Sequence, residues 1–143
     1  MTSEFAIAVH ALVYLNHKQE TLASEELAKN VCTNPARIRK VMAKLKKKDL
    51  IATKEGQNGG YHTSMEAADV NLAMIYDALE TEAVCPSWKS GNPDMDCMVA
   101  SGMADIMDDI YGQLNEVCRE KLSQITCLFP CNSYSVVVRI ILI

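Results

Sequence analysis

The residues of this chain most able to do chemistry lie in one basic stretch, from Lys29 to Lys54. It holds nine lysine or arginine residues and one acid, Asp49, for a net charge of +8, whereas the whole chain of 143 residues carries −4. The remaining residues hold five basic and seventeen acidic side chains, a net charge of −12. A cationic surface on an acidic body attracts a polyanion locally while the body repels it. This segregation favours a nucleic-acid partner; the alternative is a solvated helix face that happens to be basic.

A glycine-rich stretch, KEGQNGGYHTS, follows from Lys54 to Ser64. It lacks the Lys-Ser/Thr ending of a P-loop and the spacing of a dinucleotide-binding fingerprint. Together with LIAT before it, it predicts two short strands around a turn, a β-hairpin wing. We interpret the wing tip as a contact with the DNA backbone, because glycines and free amides permit a close approach to phosphate. The alternative is an ordinary hairpin turn.

Cysteine is the other reactive residue type, and the chain has six. Cys85 and Cys97 lie in one loop with eleven residues between them, and a third cluster ligand would have to be the distant Cys118. Since an iron–sulfur cluster needs several converging thiolates, we expect no metal and no cofactor, with a cluster as the less favoured alternative. The other interpretations are that Cys85 and Cys97 are redox-sensitive sensor thiols, or that the cysteines are small buried hydrophobes or unused loop thiols.

Cys97 is the thiol we single out for sensing, because the sequence NPDMDC predicts a helix start. Asp94 as the N-cap would put Cys97 in the first turn, where free backbone amides and the helix dipole favour a thiolate. The carboxylates of Asp94 and Asp96 oppose ionisation. We therefore expect moderate reactivity at Cys97.

A helix-turn-helix is predicted to position the basic residues. Ser3 is predicted to cap a first helix that ends near residues 16–19, and Ser24 to cap a short second one. Asn34 as N-cap, with Pro35 at the first helical position, begins a third helix that runs to about Lys48. Its apolar residues should face the core: Ile38, Val41, Met42 and Leu45. Its basic residues line a different face: Arg37, Lys40, Lys44 and Lys48.

The second half of the chain predicts a helix from Asp69 to Glu80, a loop, and a long helix from about Met95 to Thr126. A helix of about 28 residues would be about 42 Å long, longer than the domain is wide. An apolar stripe that extends beyond its own domain usually meets a partner. The predicted dimer interface is Met103, Ile106, Ile110, Leu114 and Val117.

The predicted fold class is mainly α: a winged helix-turn-helix with a long C-terminal dimerisation helix. Residues 1–80 form the DNA-binding domain, 81–96 a cysteine-containing sensor or hinge loop, 97–126 the dimerisation helix, and 127–143 a tail of unknown role. The chain has no run of 18 apolar residues and its start lacks a basic leader, so we expect a cytoplasmic protein without a membrane partner. No motif places a nucleophile beside a base or pairs two carboxylates, so we do not expect an enzyme.

The order of these parts resembles the Rrf2 family of bacterial winged-helix regulators. The resemblance lies in FAIAVHALVYL, in the recognition segment TNP…IRK…L…LKK…L and in a wing ending in Gly-Gly-Tyr, and it covers roughly residues 3–126. It implies a homodimer whose long helices cross and whose two heads bind a palindromic operator in double-stranded DNA. We therefore expect a transcriptional regulator, in the first instance a repressor, that responds to a redox signal or a small-molecule effector. The alternative is a basic-faced dimeric module that binds an acidic protein.

The resemblance also implies which residues contact DNA. On the turn and recognition helix they are Thr33, Asn34, Arg37, Arg39, Lys40 and Lys44; on the wing they are Lys54, Asn58, Gly59, Gly60 and Tyr61. Two departures from the family pattern stand out. The wing of many members carries an arginine where this chain has Glu55, for which Lys54 is a partial substitute. Cluster-binding members carry three close cysteines before the long helix, where this chain has only Cys85 and Cys97.

Overall fold

The computed structural model of the chain describes residues 2–127, so the tail from residue 128 onward lies outside the described residues. The elements in chain order are α1 (Ser3–Lys18), α2 (Ser24–Val31), α3 (Pro35–Lys47), β1 (Ile51–Lys54), β2 (Gly60–Thr63), α4 (Leu72–Leu79) and α5 (Met98–Ser123). The predicted fold class is confirmed: the chain is mainly helical with a two-stranded antiparallel hairpin after the third helix. None of the helices in residues 2–127 is long and apolar enough to cross a membrane.

The start of α3 follows the sequence prediction in detail. The side chain of Asn34 accepts a hydrogen bond from the Arg37 amide at 2.9 Å, and Pro35 occupies the first helical position. The apolar residues of α3 are buried as expected, with Ile38, Val41, Met42 and Leu45 each at most 1% exposed. They pack α3 against α1, α2 and α4, so the core fixes how the helix presents its remaining faces.

The predicted caps of α1 and α2 are wrong, because both serines are already helical. Thr2 and Ala23 occupy the two N-cap positions, and neither makes a side-chain capping bond. The hydroxyls of the two serines serve other contacts. Ser3 Oγ accepts from Arg37, and Ser24 Oγ accepts from Arg39 while it donates to Glu25.

The wing pairs β1 with β2 in antiparallel register, from Ile51 opposite Thr63 to Lys54 opposite Gly60. Leu22, between α1 and α2, extends this pairing through a bridge to Tyr61. The Leu22 amide donates to the Tyr61 carbonyl at 2.9 Å, and the Tyr61 amide donates back at 2.8 Å. The wing is therefore attached by backbone hydrogen bonds to the helical domain.

Helix α4 begins at Leu72, later than the predicted Asp69, because Asn71 caps it by accepting from the Met74 amide at 3.0 Å. The amide of Asp69 is used in a preceding turn, where it donates to the Glu66 carbonyl. After α5 the chain returns to the same place, since the Cys127 amide donates to the carbonyl of Val70 at 2.8 Å. Residues 124–127 thus fasten the end of α5 to the start of α4.

Candidate nucleic-acid interface

The outward face of α3 is formed by four residues about one helical turn apart, which we call the outer row: Ala36, Lys40, Ala43 and Lys47. All four are exposed, because their spacing of four, three and four keeps them opposite the buried residues of α3. The two alanines leave the helix backbone close to the surface, which suits a helix that enters a DNA major groove. Sequence reasoning missed Ala36, Ala43 and Lys47, although their spacing with Lys40 could have identified them.

Two lysines of α3 meet one acid in the first turn of α1. Lys40 Nζ lies 2.6 Å from Glu4 Oε1, and Lys44 Nζ lies 2.7 Å from Glu4 Oε2. Lys44 also donates to the backbone carbonyl of Leu79 at 3.2 Å. The hydrogen bonds from Lys40 and Lys44 lower the pKa of the Glu4 carboxyl, so it is ionised at neutral pH. Lys44 therefore holds α3 against its own domain, and the contact with DNA predicted for it would require it to leave these partners.

The two arginines of α3 are also held by neighbouring helices. Arg37 Nη2 donates to Ser3 Oγ of α1 at 2.7 Å. Arg39 Nη1 donates to Ser24 Oγ at 3.0 Å and to Glu25 Oε1 at 3.3 Å, both on α2. Arg39 and Glu25 are each more than half exposed, so this pair contributes little to stability and is easily exchanged for a phosphate.

The turn before α3 presents Thr33 and Asn34 at the same end of the helix. The Thr33 amide donates to the Ala28 carbonyl at 2.9 Å, and Asn34 Oδ1 is occupied by its cap. Cys32, which ends α2 in a left-handed conformation, is exposed. The hydroxyl of Thr33 and the amide nitrogen of Asn34 are thus the side-chain groups that the turn can offer a phosphate.

The wing packs beside α3 and carries one lysine, Lys54. Lys46 Nζ of α3 donates to Thr53 Oγ1 of β1 at 2.8 Å, which links the helix to the wing. Lys54, at the end of β1, and Asn58, in the turn, are exposed. These two side chains are the predicted DNA contacts of the wing that are exposed.

The glycines of the wing serve the packing of the chain itself. A Cβ on Gly59 would lie 2.5 Å from the carbonyl oxygen of Lys54, so only glycine fits this tight turn. A Cβ on Gly60 would overlap the carbonyl oxygen of Leu22 and lie 2.6 Å from its carbon. Tyr61 is partly buried at the same bridge, and burial raises the pKa of its hydroxyl. Gly59, Gly60 and Tyr61 thus have a structural role in the hairpin, and their contact with phosphate stays a prediction.

Replacing Gly60 by alanine is expected to destabilise the fold by about 2–4 kcal/mol, because the new methyl group meets backbone that no side-chain rotation can clear. Thermal or urea unfolding measures the change. Gly112→Ala is the matched control: a Cβ there meets nothing within 4 Å, so alanine in mid-helix should stabilise by about 0.5–1 kcal/mol. Equal stability of Gly60→Ala and the parent chain would contradict this role.

The thiols of the loop before α5 lie differently from the prediction. Helix α5 begins at Met98 with Cys97 itself at the N-cap, so the prediction that Asp94 caps it is wrong. The amide of Asp94 donates instead to Asn92 Oδ1 in a local turn. Hydrogen bonds from the amides of Ala100 and Val99 lower the pKa of the Cys97 thiol. Cys97 is thus an exposed thiol with a lowered pKa at the start of α5, and its role as a sensor stays a prediction.

The five cysteines of the described residues do not converge on a metal site. Within residues 2–127, no three His, Cys, Asp or Glu side chains come together in a way that could hold a metal ion. Cys85 and Cys97 are exposed in the loop, whereas Cys118 on α5 is partly buried against the core. The donors in this part of the chain do not fit an iron–sulfur cluster, and we derive no step through one.

Helix α5 carries an apolar stripe that the other described residues leave exposed: Ile106, Ile110, Leu114 and Val117 are 55%, 42%, 47% and 64% exposed. Hydrogen bonds attach the opposite face of α5 to the rest of the domain. Arg119 donates to both carboxylate oxygens of Asp77 on α4. Asn115 makes two hydrogen bonds of 2.9 Å with the backbone of Val84. Met103, predicted to belong to the stripe, lies at its edge instead. It lines a groove of about 370 Å³ between α5 and the loop, together with Pro86, Trp88, Met107 and Tyr111.

Comparison with known proteins identifies the class to which these features belong. A family model described as Rrf2, iron-dependent transcriptional regulator, matches residues 1–128. The HTH-type transcriptional regulator YwnA of Bacillus subtilis is 25% identical over 123 residues, which is 86% of this chain and 90% of YwnA. The HTH-type transcriptional regulator NsrR of Oceanobacillus iheyensis is 28% identical over 82 residues, 57% of this chain and 56% of NsrR. A transcriptional regulator from Lactobacillus plantarum has a similar crystal structure, with a TM-score of 0.75, 27% identity and coverage of 89% of this chain and 86% of that one.

Proposed function

We propose, on the premise that this chain belongs to the Rrf2 family of transcriptional regulators, that it represses transcription by binding a palindromic operator as a homodimer in the bacterial cytoplasm. The family and the named relatives are regulators of transcription and not enzymes. The class of activity of this chain is therefore regulation of transcription through DNA binding. The repressor role, the palindrome, the dimer and the signal are the parts of the proposal that need tests.

The outer row of α3 is the observation that carries the DNA-binding proposal. It presents Lys40 and Lys47 with two alanines between and beside them, on a helix whose opposite side is buried in the core. Such a helix can enter a major groove, where lysine contacts guanine edges and alanine contacts a thymine methyl group. Arg39 on one flank and Lys54 on the wing are positioned to neutralise phosphates beside it.

The exposed stripe of α5 supports the homodimer. Four large aliphatic side chains along about three turns of one face are costly to leave in water, and the same stripe on a second copy is self-complementary. Two antiparallel or crossed α5 helices would bury it and set two α3 helices on a common side. A two-fold symmetric protein then favours a DNA site with two-fold symmetry.

The alternative, a basic-faced module that binds an acidic protein, is separated from DNA recognition by a selection experiment. Several rounds of selection from random-sequence duplexes are expected to enrich an inverted repeat that binds at least about 10³-fold more tightly than random duplex at about 0.15 M salt. A matched duplex with one half-site scrambled controls for the palindrome. Enrichment of no sequence over random duplex would exclude the operator and favour the protein-binding module.

The thiol at Cys97 is the group we propose for a redox response. Its pKa is lowered by backbone hydrogen bonds, whereas burial raises the pKa of Cys127 to about 11. At pH 7 we expect alkylation of Cys97 at least about 100-fold faster than that of Cys127, because only the thiolate reacts. Mass spectrometry of peptides after timed iodoacetamide treatment measures both rates in the same sample. Similar rates at the two sites would remove the activated thiol from the proposal.

The response itself is expected to need Cys97 and to involve Cys85, the other exposed thiol of the loop. Mild diamide should link Cys85 to Cys97 and change the affinity for the selected operator. The response should disappear in Cys97→Ser and persist in Cys127→Ser or Cys131→Ser, of which Cys131 lies outside the described residues. An unchanged response in Cys97→Ser would remove Cys97 from the mechanism and assign the diamide response to another thiol.

A further inference from the structure

We infer that Glu4, in the first turn of α1, is a specificity-determining residue of the DNA-binding face: it holds Lys40 back from phosphates, so that Lys40 is released only to a DNA sequence that offers more than a phosphate. This inference rests on the proposed function and deepens it. Glu4 would contact no DNA. It would act through a lysine of the outer row, as a partner that the DNA has to replace.

The contacts distinguish the two lysines that Glu4 binds. Lys44 is 30% exposed and has a second partner in the Leu79 carbonyl, so it is fixed in place. Lys40 is 67% exposed and lies in the outer row, and Glu4 Oε1 at 2.6 Å is its ion-pair partner. Glu4 itself is only 19% exposed and remains under the lysines. The mobile member of this group is therefore Lys40, and its movement toward DNA would leave the pair of Glu4 and Lys44 intact.

The charge of the group explains the effect on specificity. Two lysines and one carboxylate carry a net charge of +1, so Glu4 cancels one of the cations that could neutralise a phosphate. A phosphate of random DNA offers Lys40 a contact much like the one it already has with a carboxylate. A guanine edge at the right position offers Lys40 hydrogen bonds to a base in addition to the attraction of the phosphates. Only at such a position does Lys40 favour DNA over Glu4 as its partner. Binding to random duplex is thus restrained more than binding to the operator.

The other flank of α3 lacks such a restraint. Glu25 is 69% exposed and its contact with Arg39 is 3.3 Å long, so water and salt already compete with this pair. Arg39 can transfer to a phosphate of any sequence at little cost. The recognition helix is therefore asymmetric, with an easily exchanged cation toward α2 and a restrained one toward α1.

The test compares the parent chain with Glu4→Gln on a random-sequence duplex and on the selected operator. Release of Lys40 should add one phosphate contact per subunit. Random-duplex affinity should then increase about fivefold per subunit at about 0.15 M salt. The slope of log affinity against log salt concentration should become steeper by about 0.9 per subunit. The affinity for the operator should rise less, so the ratio of specific to random binding falls. Glu20→Gln removes the same charge from an exposed residue beyond the end of α1 and should leave the slope unchanged.

A double-variant cycle assigns the effect to Lys40. In Glu4→Gln/Lys40→Ala the slope on random duplex should return to the parent value. An unchanged slope in Glu4→Gln, or a steeper slope that persists in the double variant, would overturn the inference.

Lys40→Ala alone decides the matter if Glu4→Gln does not fold. It should lower operator affinity and leave random-duplex affinity and its salt slope as they are. A flatter slope on random duplex would mean that Lys40 already contacts phosphate, and the inference would fail. If the parent chain binds neither duplex in a salt-dependent way, the proposed function itself fails, which is a different outcome.

Discussion

Replacing Ile110 by aspartate is expected to turn the protein into monomers. Ile110 lies in the middle of the exposed stripe of α5, with Ile106 one turn before it and Leu114 one turn after it. In a dimer that buries this stripe, the substitution places two unpaired carboxylates in an apolar seam. An uncompensated buried charge costs at least about 3 kcal/mol, which raises the dissociation constant of the dimer roughly a hundredfold or more. Light scattering or sedimentation over a range of concentrations measures the change.

The matched control for Ile110→Asp is Gly112→Asp, which adds the same charge two residues later. Two residues correspond to about 200° around a helix, so this position faces away from the stripe. A Cβ there meets nothing within 4 Å, and the variant should remain a dimer. Circular dichroism verifies that both variants keep their helices. An Ile110→Asp variant that dimerises as tightly as the control would show that the stripe is not the interface.

Loss of the dimer should also reduce operator binding far more than the substitution could do directly. Ile110 lies on α5, which packs mainly on α4, so the substitution changes none of the side chains proposed to contact DNA. A monomer binds one half-site and loses the effective concentration that links the two heads, which accounts for about 10²- to 10⁴-fold in affinity. Binding to a single half-site duplex should be nearly unchanged, which separates this effect from unfolding.

The parts of the fold that could be predicted are those determined by local sequence. The cap and first turn of α3 depend on adjacent residues, Asn34 and Pro35, and the buried face of α3 follows from helical spacing. The wing was recognisable because a glycine-rich turn separates two short strands of matching length. Each of these signals is contained within about a dozen residues, where periodicity and turn chemistry act without reference to the rest of the chain.

The partners of the basic side chains could not be predicted, because they come from distant parts of the sequence. Lys44 and Glu4 are 40 residues apart, and Arg37 and Ser3 are 34 apart. Only the packing of α1 on α3 brings these groups together. From sequence, all lysines of α3 look equally available to DNA, whereas the fold separates a fixed one, Lys44, from exposed ones such as Lys47.

The same limitation explains why the packing role of the wing glycines and the start of α5 could not be predicted. The need for glycine at position 60 arises from Leu22, which lies almost 40 residues earlier and pairs with the wing. Helix α5 begins at Met98 because the preceding turn docks onto its first residues, where the Asn92 amide donates to the Ala100 carbonyl at 2.9 Å. A sequence argument identifies the residues that permit a turn or a cap, but tertiary contacts choose among them.

DNA affinity is expected to fall steeply with salt, and the lysines of α3 should divide in their contribution. If each subunit neutralises about three to five phosphates, the dimer neutralises about six to ten, and the log–log slope is roughly −5 to −9. Between about 50 and 200 mM salt the affinity then drops by about 10³- to 10⁵-fold. Fluorescence anisotropy with a labelled operator, repeated at several salt concentrations, gives the slope directly.

Lys47→Ala and Lys44→Ala are the matched pair that tests the geometry behind this slope. Lys47 is exposed in the outer row, so its removal should flatten the slope by about 0.9 per subunit. Lys44 is bound to Glu4 at 2.7 Å and to the Leu79 carbonyl at 3.2 Å. Its removal should leave the slope unchanged and lower the unfolding free energy by about 1 kcal/mol, because a partly buried carboxylate and a carbonyl lose a donor. If Lys44→Ala flattened the slope as much as Lys47→Ala, Lys44 would have to leave its partners for phosphate, and the division of α3 into a DNA-facing row and an anchored flank would be wrong.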